Sequence, residues 1–458
     1  MTRWTSRSAP RRLLLAALIL SALPLAAQAT APSLADALAQ LDAEQASNYQ
    51  GRPGARVRDA AEFERMKAYV RAHYEGVVAR HHFEMSPGVV VDCVDELTQP
   101  GARRQGLTRA DWVNRPSQLP VDPGAVDAAG MPALDQTPRD PGVFLSRQAP
   151  ERDADGQLMS CARGTIPMKR LGLQRLAAFE TLEHFRHKRG LPGSGGLPDD
   201  ERAHPEAIVH EYAHAYGWAS NFGAESYFNV WKAATELSSE FSLSQLWITD
   251  GKGQETVEAG WQVYRQRHPT SYPSDPHLFI YSTQDGYNNT GCYDLDCSDF
   301  VQTNSSVVIG GRLSNQSQVN GSQYTTRIMV HKDGVNGHWW IAVNGVYAGY
   351  YPRNLYDSAG IINQAANIDF GGEIINSWPS GRHTGTDMGS GYKPSSGFGY
   401  AAYQRSIRYI NTSNVFSKPS LTASRTKAAC YDISTPAFDS GTWQTYFYFG
   451  GGGYGAGC

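Results

Sequence analysis

The chain has 458 residues and a formal net charge of −3 at pH 7, with no basic stripe and no nucleic-acid motif. This near-neutral balance excludes a general attraction for nucleic acid or for an acidic membrane surface. The length exceeds that of one ordinary domain and predicts two units, or a removable segment followed by one large domain.

The N-terminus predicts a signal peptide. Arginines that end in the pair Arg11 and Arg12 precede an apolar run at residues 13–25, and a small-residue cleavage motif ends at Ala29. The run is shorter than the about 20 apolar residues that a membrane-spanning helix needs, and no later segment approaches that length. We expect residues 1–29 to be removed and the protein to be secreted or periplasmic. The arginine pair leaves a twin-arginine route as the less favoured alternative.

Three helices are predicted in the next region. The first begins after the capping residue Ser33, and the second begins at about Ala60. A proline-rich, loop-like stretch at residues 100–150 follows, and a third helix is predicted over residues 171–189, ended by Gly190. The apolar residues expected on their inner faces are Leu34, Leu38 and Leu41, then Phe63, Met66, Val70, Tyr74 and Val77, then Leu176, Phe179, Leu182 and Phe185.

A change of composition at residues 191–205 predicts a domain boundary. The segment holds turn formers and charges with nothing to bury, and it is either a flexible linker or a processing site. Six cysteines, an even number in an exported chain, favour disulfides. Cys292 and Cys297 flank a tight loop, Cys430 and Cys458 bracket the C-terminal segment, and Cys93 with Cys161 would staple the N-terminal region. The predicted units are a removable N-terminal region over residues 30–203 and one large domain over residues 204–458.

Beyond this boundary, short alternating segments rich in Tyr, Trp, Val and Ile are separated by turn residues. Such a pattern predicts an all-β sandwich or barrel. The expected fold is therefore mostly β, with an antiparallel β-sandwich after a smaller, partly helical region. The clearest predicted strands are residues 242–249, 256–264, 277–282, 324–331, 338–343 and 442–448.

Glu258 and Glu373 are the candidate catalytic residues, because both lie in apolar, glycine-containing, strand-like segments. Alternation places Glu258 on one face with Gly260 and Gln262, and residues 371–372 are glycines that would let a substrate backbone approach Glu373. Two carboxyl groups can activate water and protonate the departing nitrogen if repulsion between them splits their pKa values. Such chemistry predicts an acid working pH, and which glutamate is the base stays open.

Residues 210–214 also match the zinc-protease pattern H-E-x-x-H. Zinc would need His210 and His214 one helical turn apart, with Glu211 as the base. The surrounding residues alternate and predict a strand, in which positions i and i+4 stand about 13 Å apart. A zinc metallopeptidase is therefore the less favoured alternative, and we assign no metal and no other cofactor. The third zinc ligand in that alternative would be Glu225, Glu236 or Glu240.

Several separated segments of the chain together carry a family resemblance. They are residues 241–248, 258–263, 290–295, 300–304, 337–340, 371–374 and 388–391, and upstream of them residues 90–95 and 161–167, which contain Cys93 and Cys161. The first set resembles the neprosin family of secreted glutamic-class prolyl endopeptidases, and the upstream pair is similar to the two cysteine motifs of that family's propeptide. The resemblance implies that Glu258 and Glu373 are the catalytic pair, that cleavage follows proline in peptide or protein substrates, and that residues 30–203 are a propeptide that inhibits the catalytic domain at residues 204–458.

The leading hypothesis is thus a glutamic endopeptidase made as a latent precursor and released by cleavage within residues 191–205. A third alternative is a non-catalytic β-sandwich that binds peptide or carbohydrate on an aromatic face. Neither nucleic acid nor a membrane is expected as a partner, and no substrate-binding residue is assigned. The prominent aromatic residues, expected mostly in the core, are Tyr287, Tyr293, Trp339, Trp340 and Tyr351.

Overall fold

The computed structural model describes residues 31–123, 159–188, 209–270, 272–455 and 458, and the backbone of residues 143–145. The predicted signal peptide, the boundary segment 191–205 and most of the later proline-rich stretch lie outside these residues. From Ala31 to Cys458 the chain forms one compact unit, and the boundary near residue 204 stays a prediction. Among the described residues, no helix has the length and apolarity needed to cross a membrane.

The first two predicted helices are confirmed. The side chain of Ser33 accepts a hydrogen bond from the backbone of Asp36, and Asp59 caps the second helix in the same way. Val77, predicted on the inner face, lies beyond the end of the second helix. The helices are α1 Leu34–Ala43, α2 Ala60–Tyr74, α3 Pro100–Arg104, α4 Leu173–Leu176 and α5 Leu182–Arg186, with short 3₁₀ turns at Ala46–Asn48, Arg353–Leu355, Pro379–Gly381 and Pro394–Ser396.

The single third helix predicted over residues 171–189 is wrong, because two short helices, α4 and α5, replace it. Thr181 accepts a hydrogen bond from the backbone of His184 and thereby begins a new helix. Just before it, the carbonyl of Ala177 bonds to the backbone N–H groups of Arg56 and Val57 instead of continuing α4. The four apolar residues expected to point inward are nevertheless all buried.

Strands make up most of the regular secondary structure among the described residues. They are β1 Ala79–Ser86, β2 Val89–Asp95, β3 Val143–Leu145, β4 Thr165–Lys169, β5 Val209–Asn229, β6 Phe241–Thr249, β7 Thr256–Tyr264, β8 His277–Thr283, β9 Cys292–Tyr293, β10 Val301–Gln302, β11 Gln323–Lys332, β12 Trp339–Val343, β13 Val346–Tyr351, β14 Ala365–Asn376, β15 Ala402–Asn411, β16 Phe416–Ser417, β17 Thr422–Arg425, β18 Asp432–Ile433, β19 Ala437–Asp439 and β20 Gln444–Gly450. The six strands predicted from alternation are confirmed. A small antiparallel sheet joins β1, β2 and β4, and the remaining strands belong to one large sheet.

The long strand β5 organises the large sheet. Its first half pairs with β14 and β17, and its second half pairs with β11 and β15. From β14 the sheet continues through β6, β7 and β8. Near the change of partners, Gly223 has φ +120°, and a Cβ there would lie 1.9 Å from the carbonyl oxygen of Val330. The sheet therefore curls on itself, and the predicted mostly antiparallel β-sandwich is confirmed.

The N-terminal region packs directly on this sheet. Apolar residues of α2, α4 and α5 belong to the same buried cluster as the strands. Arg175 forms two hydrogen bonds of 2.9 Å with Asp296, and Gln99 exchanges two bonds of 2.8 Å with the backbone of Gln302. The two regions thus share a core and buried polar contacts. The structure forms the three expected disulfides, Cys93–Cys161, Cys292–Cys297 and Cys430–Cys458.

Candidate active site

The pairing of neighbouring strands places Glu258 and Glu373 on one face of the large sheet. Residues directly opposite each other in an antiparallel pair project to the same side. Glu258 on β7 lies opposite Trp247 on β6, and Trp247 lies opposite Asp369 on β14. Glu373 follows Asp369 by an even number of residues on the same strand, so it shares that face. Both glutamate side chains are completely buried.

The ammonium group of Lys188 lies between the two carboxylates. Lys188 follows α5, and its Nζ donates to Glu258 Oε2 at 2.8 Å and to Glu373 Oε2 at 2.7 Å. The two oxygens are therefore no further apart than the sum of these distances. Because the lysine side chain is only 4 % exposed, a cation from the N-terminal region closes the space between the glutamates.

Aromatic rings surround this ammonium group. Its Nζ lies 5.9 Å from the ring centre of Phe241 and 5.7 Å from that of Trp247, and ring faces attract cations. Burial lowers the pKa of Lys188, but Glu258 and Glu373 outweigh burial and raise the pKa above its usual value. Lys188 is thus a buried cation held by two carboxylates and two rings.

Nitrogen donors from the sheet face Glu373. His210 Nδ1 is 2.6 Å from Oε1, and Gln245 Nε2 donates to Oε2 at 3.1 Å. Burial raises the pKa of Glu373, but Lys188 and His210 more than compensate, so that the pKa lies below its usual value. Glu373 is therefore held in its ionised form in this state.

Hydroxyl groups face Glu258. Thr256 Oγ1 donates to Glu258 Oε1 at 3.2 Å, and the hydroxyl of Tyr287 donates to the same oxygen. Burial, followed by the nearby Glu258 carboxylate, raises the pKa of Tyr287 well above its usual value, so this hydroxyl keeps its proton. A hydroxyl can donate to an ionised carboxylate or accept from a protonated one. The surroundings of Glu258 therefore suit both of its protonation states.

The H-E-x-x-H residues lie in strand β5, as the alternation predicted. His210 contacts Glu373, whereas His214 Nδ1 lies 2.9 Å from both oxygens of Asp369. Glu211 points to the other face, where its Oε1 is 2.8 Å from His383 Nε2. The two histidines thus contact two different carboxylates, Glu373 and Asp369. In the part of the chain that the structure describes, one cluster has metal-ligand spacing, His383, Cys430 and Cys458, and its cysteines are joined in a disulfide.

The glycines beside Glu373 do not open a path for substrate, contrary to the sequence-based expectation. A Cβ on Gly371 would lie 2.4 Å from the carbonyl oxygen of Ala213, and a Cβ on Gly372 would lie 2.5 Å from the ring of Phe449. Neighbouring protein therefore fills both positions. These glycines let the strands and the aromatic core approach closely.

Of the aromatic residues singled out from the sequence, Tyr287 lies in the site and the others are buried in the core. Lys188 was missed, because it ends a helical pattern and its partners are 70 and 185 residues away. Gln245 was also missed, although its place two residues before Trp247 gives it the same strand face. His210 was identified, but for metal binding instead of for its contact with Glu373.

Comparison with known proteins gives one family and several distant folds. The neprosin family model matches residues 238–452, which include both glutamates, Gln245 and Tyr287. Lys188 and His210 lie outside the matched segment.

Among solved structures, scytalido-glutamic peptidase with a peptide-based transition-state analogue is 11 % identical, covers 54 % of this chain and 99 % of its own, and has a TM-score of 0.29. SCP-B, a member of the eqolisin family of peptidases in a complex with the tripeptide Ala-Ile-His, is 12 % identical, covers 53 % of this chain and 98 % of its own, and has a TM-score of 0.29. CG-16, a homodimeric agglutinin from chicken liver, is 8 % identical, covers 37 % of this chain and 89 % of its own, and has a TM-score of 0.18. At these scores the likenesses carry no argument about activity.

Proposed function

Through residues 238–452 the chain belongs to the neprosin family, and from this premise we propose that it is a glutamic endopeptidase made as a latent precursor. The observation that carries the proposal is the pair of fully buried carboxylates, Glu258 and Glu373, that share one ammonium group. Without a cation nearby, the ionisation of both of two buried carboxylates at this separation costs free energy, because the two negative charges repel each other. Once Lys188 leaves, such a pair has the properties that acid and base catalysis by carboxyl groups requires.

In the proposed reaction, a water molecule and the substrate peptide bond occupy the space that Lys188 fills in the precursor. Glu373 is the base, because its nitrogen donors stabilise a carboxylate, and Glu258 is the acid. Glu373 takes a proton from the water as the water oxygen bonds to the carbonyl carbon, and the π electron pair of the C=O bond moves to the carbonyl oxygen. Glu258 then gives its proton to the amide nitrogen, the C–N bond breaks with its electron pair on nitrogen, and a carboxylic acid and an amine leave. Proton exchange with solvent restores the starting states.

Three substitutions test the catalytic assignment. Processed enzyme carrying Glu258→Gln or Glu373→Gln should lose about 10²- to 10⁴-fold in kcat on a proline-containing peptide at acid pH, as expected for loss of a general acid or base. Glu211→Gln is the matched control, because Glu211 is a buried glutamate on the opposite face of β5. Retention of activity by Glu211→Gln also argues against zinc chemistry, in which Glu211 would be the base. Wild-type activity in folded Glu258→Gln and Glu373→Gln would refute the proposal.

Latency is proposed to depend on Lys188. Its ammonium group forms hydrogen bonds with both carboxylates and so occupies the position that a catalytic water would need. Buried contacts hold α5, which precedes Lys188, against the sheet. One such contact is the side chain of Arg267, which bonds to the carbonyl of Phe185. Release would follow cleavage between Lys188 and the catalytic domain, within the predicted boundary at residues 191–205. The non-catalytic alternative gives no reason for a lysine to span two glutamates.

Preference for proline is proposed from the family resemblance. The rings of Tyr212 and Trp247 lie beside the glutamates, with ring centres 6.3 Å apart, and aromatic faces pack well against proline. The test is a pair of peptides that differ by proline or alanine before the scissile bond. A higher kcat/KM for the proline peptide is expected, and equal values would contradict the preference.

Export through a cleaved signal peptide is likewise a proposal. Three disulfides are consistent with folding in an oxidising compartment. N-terminal sequencing of the precursor recovered from periplasm and culture medium, before cleavage within residues 191–205, should give a start near Thr30. Recovery of unprocessed chain from the cytoplasm alone would contradict export.

A further inference from the structure

His210 contacts Glu373 in a way that the zinc motif does not explain. The imidazole is buried, and its Nδ1 lies 2.6 Å from Glu373 Oε1. Its other ring nitrogen, Nε2, is buried without a hydrogen-bond partner among the described residues. A histidine that served only to complete the core would be expected to satisfy both nitrogens. The polar contact of this ring is therefore directed at the carboxylate.

Two nitrogen atoms of the sheet contact Glu373. The amide nitrogen of Gln245 can only donate, and His210 Nδ1 donates when it carries the ring proton. A hydroxyl group, which can donate or accept, also bonds to each glutamate, that of Tyr212 to Glu373 and that of Tyr287 to Glu258. The nitrogen donors therefore favour the carboxylate form of Glu373. They belong to the sheet and remain when Lys188 is absent.

We infer that His210 is a positioning residue that keeps Glu373 ionised and correctly aimed in the processed enzyme. The inference rests on the proposed function. In the precursor, Lys188 and His210 share this task, and after release of the propeptide His210 carries it with Gln245. The imidazole Nδ1–H donates to Oε1 and leaves Oε2, the oxygen that faced Lys188, available to the catalytic water.

Other charged or titratable groups lie around His210 and Glu373, and one of them, Tyr212, also bonds to Glu373. His214 bonds to Asp369, and Tyr287 bonds to Glu258. The ring of Phe241 stands edge-on to His210, with centres 5.7 Å apart, and supplies no charge. The titratable groups around Glu373 are Glu258, Asp369, His214, Tyr212, Tyr287 and, in the precursor, Lys188.

The test is the pH dependence of kcat in processed His210→Phe and His210→Asn. The acid limb of the pH profile of kcat reports protonation of the base, Glu373. Loss of the donor in His210→Phe should move this limb to higher pH by about one unit or more, which lowers kcat about tenfold at pH values below the limb. The KM for the same peptide should change little. His210→Asn keeps an amide nitrogen at the position of Nδ1, so its acid limb should fall between those of wild type and His210→Phe.

The control is His214→Gln, which disturbs another buried histidine–carboxylate pair on the same strand and should leave the acid limb in place. If His210→Phe does not fold, His210→Leu replaces it, because leucine is apolar and has no donor for Glu373. A wild-type acid limb in both His210 variants, or an equal loss at every pH, would overturn the inference. Activity in Glu373→Gln would instead overturn the proposed function, so the two failures are distinguishable.

Discussion

Replacing Lys188 by methionine in the precursor is the sharpest test of the latency mechanism. The substitution preserves the length of the side chain but removes the ammonium group, so two buried carboxylates face each other without a cation. Breaking a buried ion pair by removing one partner costs about 3 to 5 kcal/mol. Part of this cost is relieved when one glutamate binds a proton. We therefore expect the closed state to lose at least about 2 kcal/mol, equivalent to about a thirtyfold rise in the open population.

The assay follows hydrolysis of a quenched fluorescent peptide by freshly prepared precursor, together with its conversion to the processed form on gels. Lys188→Met should show activity before cleavage and should mature faster, and at higher pH, than wild type. Lys67→Met is the matched control, because Lys67 is a second buried lysine of the N-terminal region and donates to the carbonyls of Asp42 and Glu44 at 3.0 and 2.8 Å. Full latency in Lys188→Met, or the same activation in Lys67→Met, would refute the mechanism.

Four further predictions follow from the same contacts. Acid should open the precursor. The lowered pKa of Glu373 stabilises the closed state at pH values above the usual pKa of a glutamate, and this stabilisation is lost as pH falls through the lowered pKa. The measurement is the fraction of propeptide released as a function of pH. Burial lowers the pKa of His277 to about 3, and this ring stacks on His268 beside Lys169 of β4. Protonation of the buried ring at low pH therefore favours the open state, and His277→Gln, which cannot be protonated, should move release of the propeptide to lower pH. Tyr287→Phe should reduce kcat more than it raises KM, which steady-state kinetics would show. Gly371→Ala should lower the melting temperature through overpacking of about 1 to 3 kcal/mol, and an unchanged value would contradict the close strand contact.

Much of the β-rich region after residue 209 could be predicted from the sequence because strand alternation has a period of two. That period identified β6, β7 and β8, and it placed Glu258 on a face with Gly260 and Gln262, which the strand register confirms. It also showed that His210 and His214 belong to a strand. The same local pattern could not reveal that His210 reaches a carboxylate 163 residues away.

Two errors have identifiable physical causes. Residues 171–189 have helical spacing throughout, but Thr181 is a capping residue, and tertiary hydrogen bonds to Ala177 end α4 early. Gly371 was interpreted as an opening for substrate, whereas the curled sheet brings Ala213 against it. Both depend on contacts with distant parts of the chain, which no single-sequence pattern contains.

The central claim is that Glu258 and Glu373 carry out hydrolysis without a metal. The most direct measurement is kcat for processed Glu373→Gln at acid pH in the presence of a strong chelator, beside processed wild type under the same conditions. The Glu373→Gln precursor is first processed by added wild-type enzyme, which is then removed. We predict that wild type keeps its kcat in the chelator and that the kcat of the variant is lower by about 10²-fold or more. Loss of wild-type activity that added zinc restores, or full activity in the folded variant, would contradict the claim.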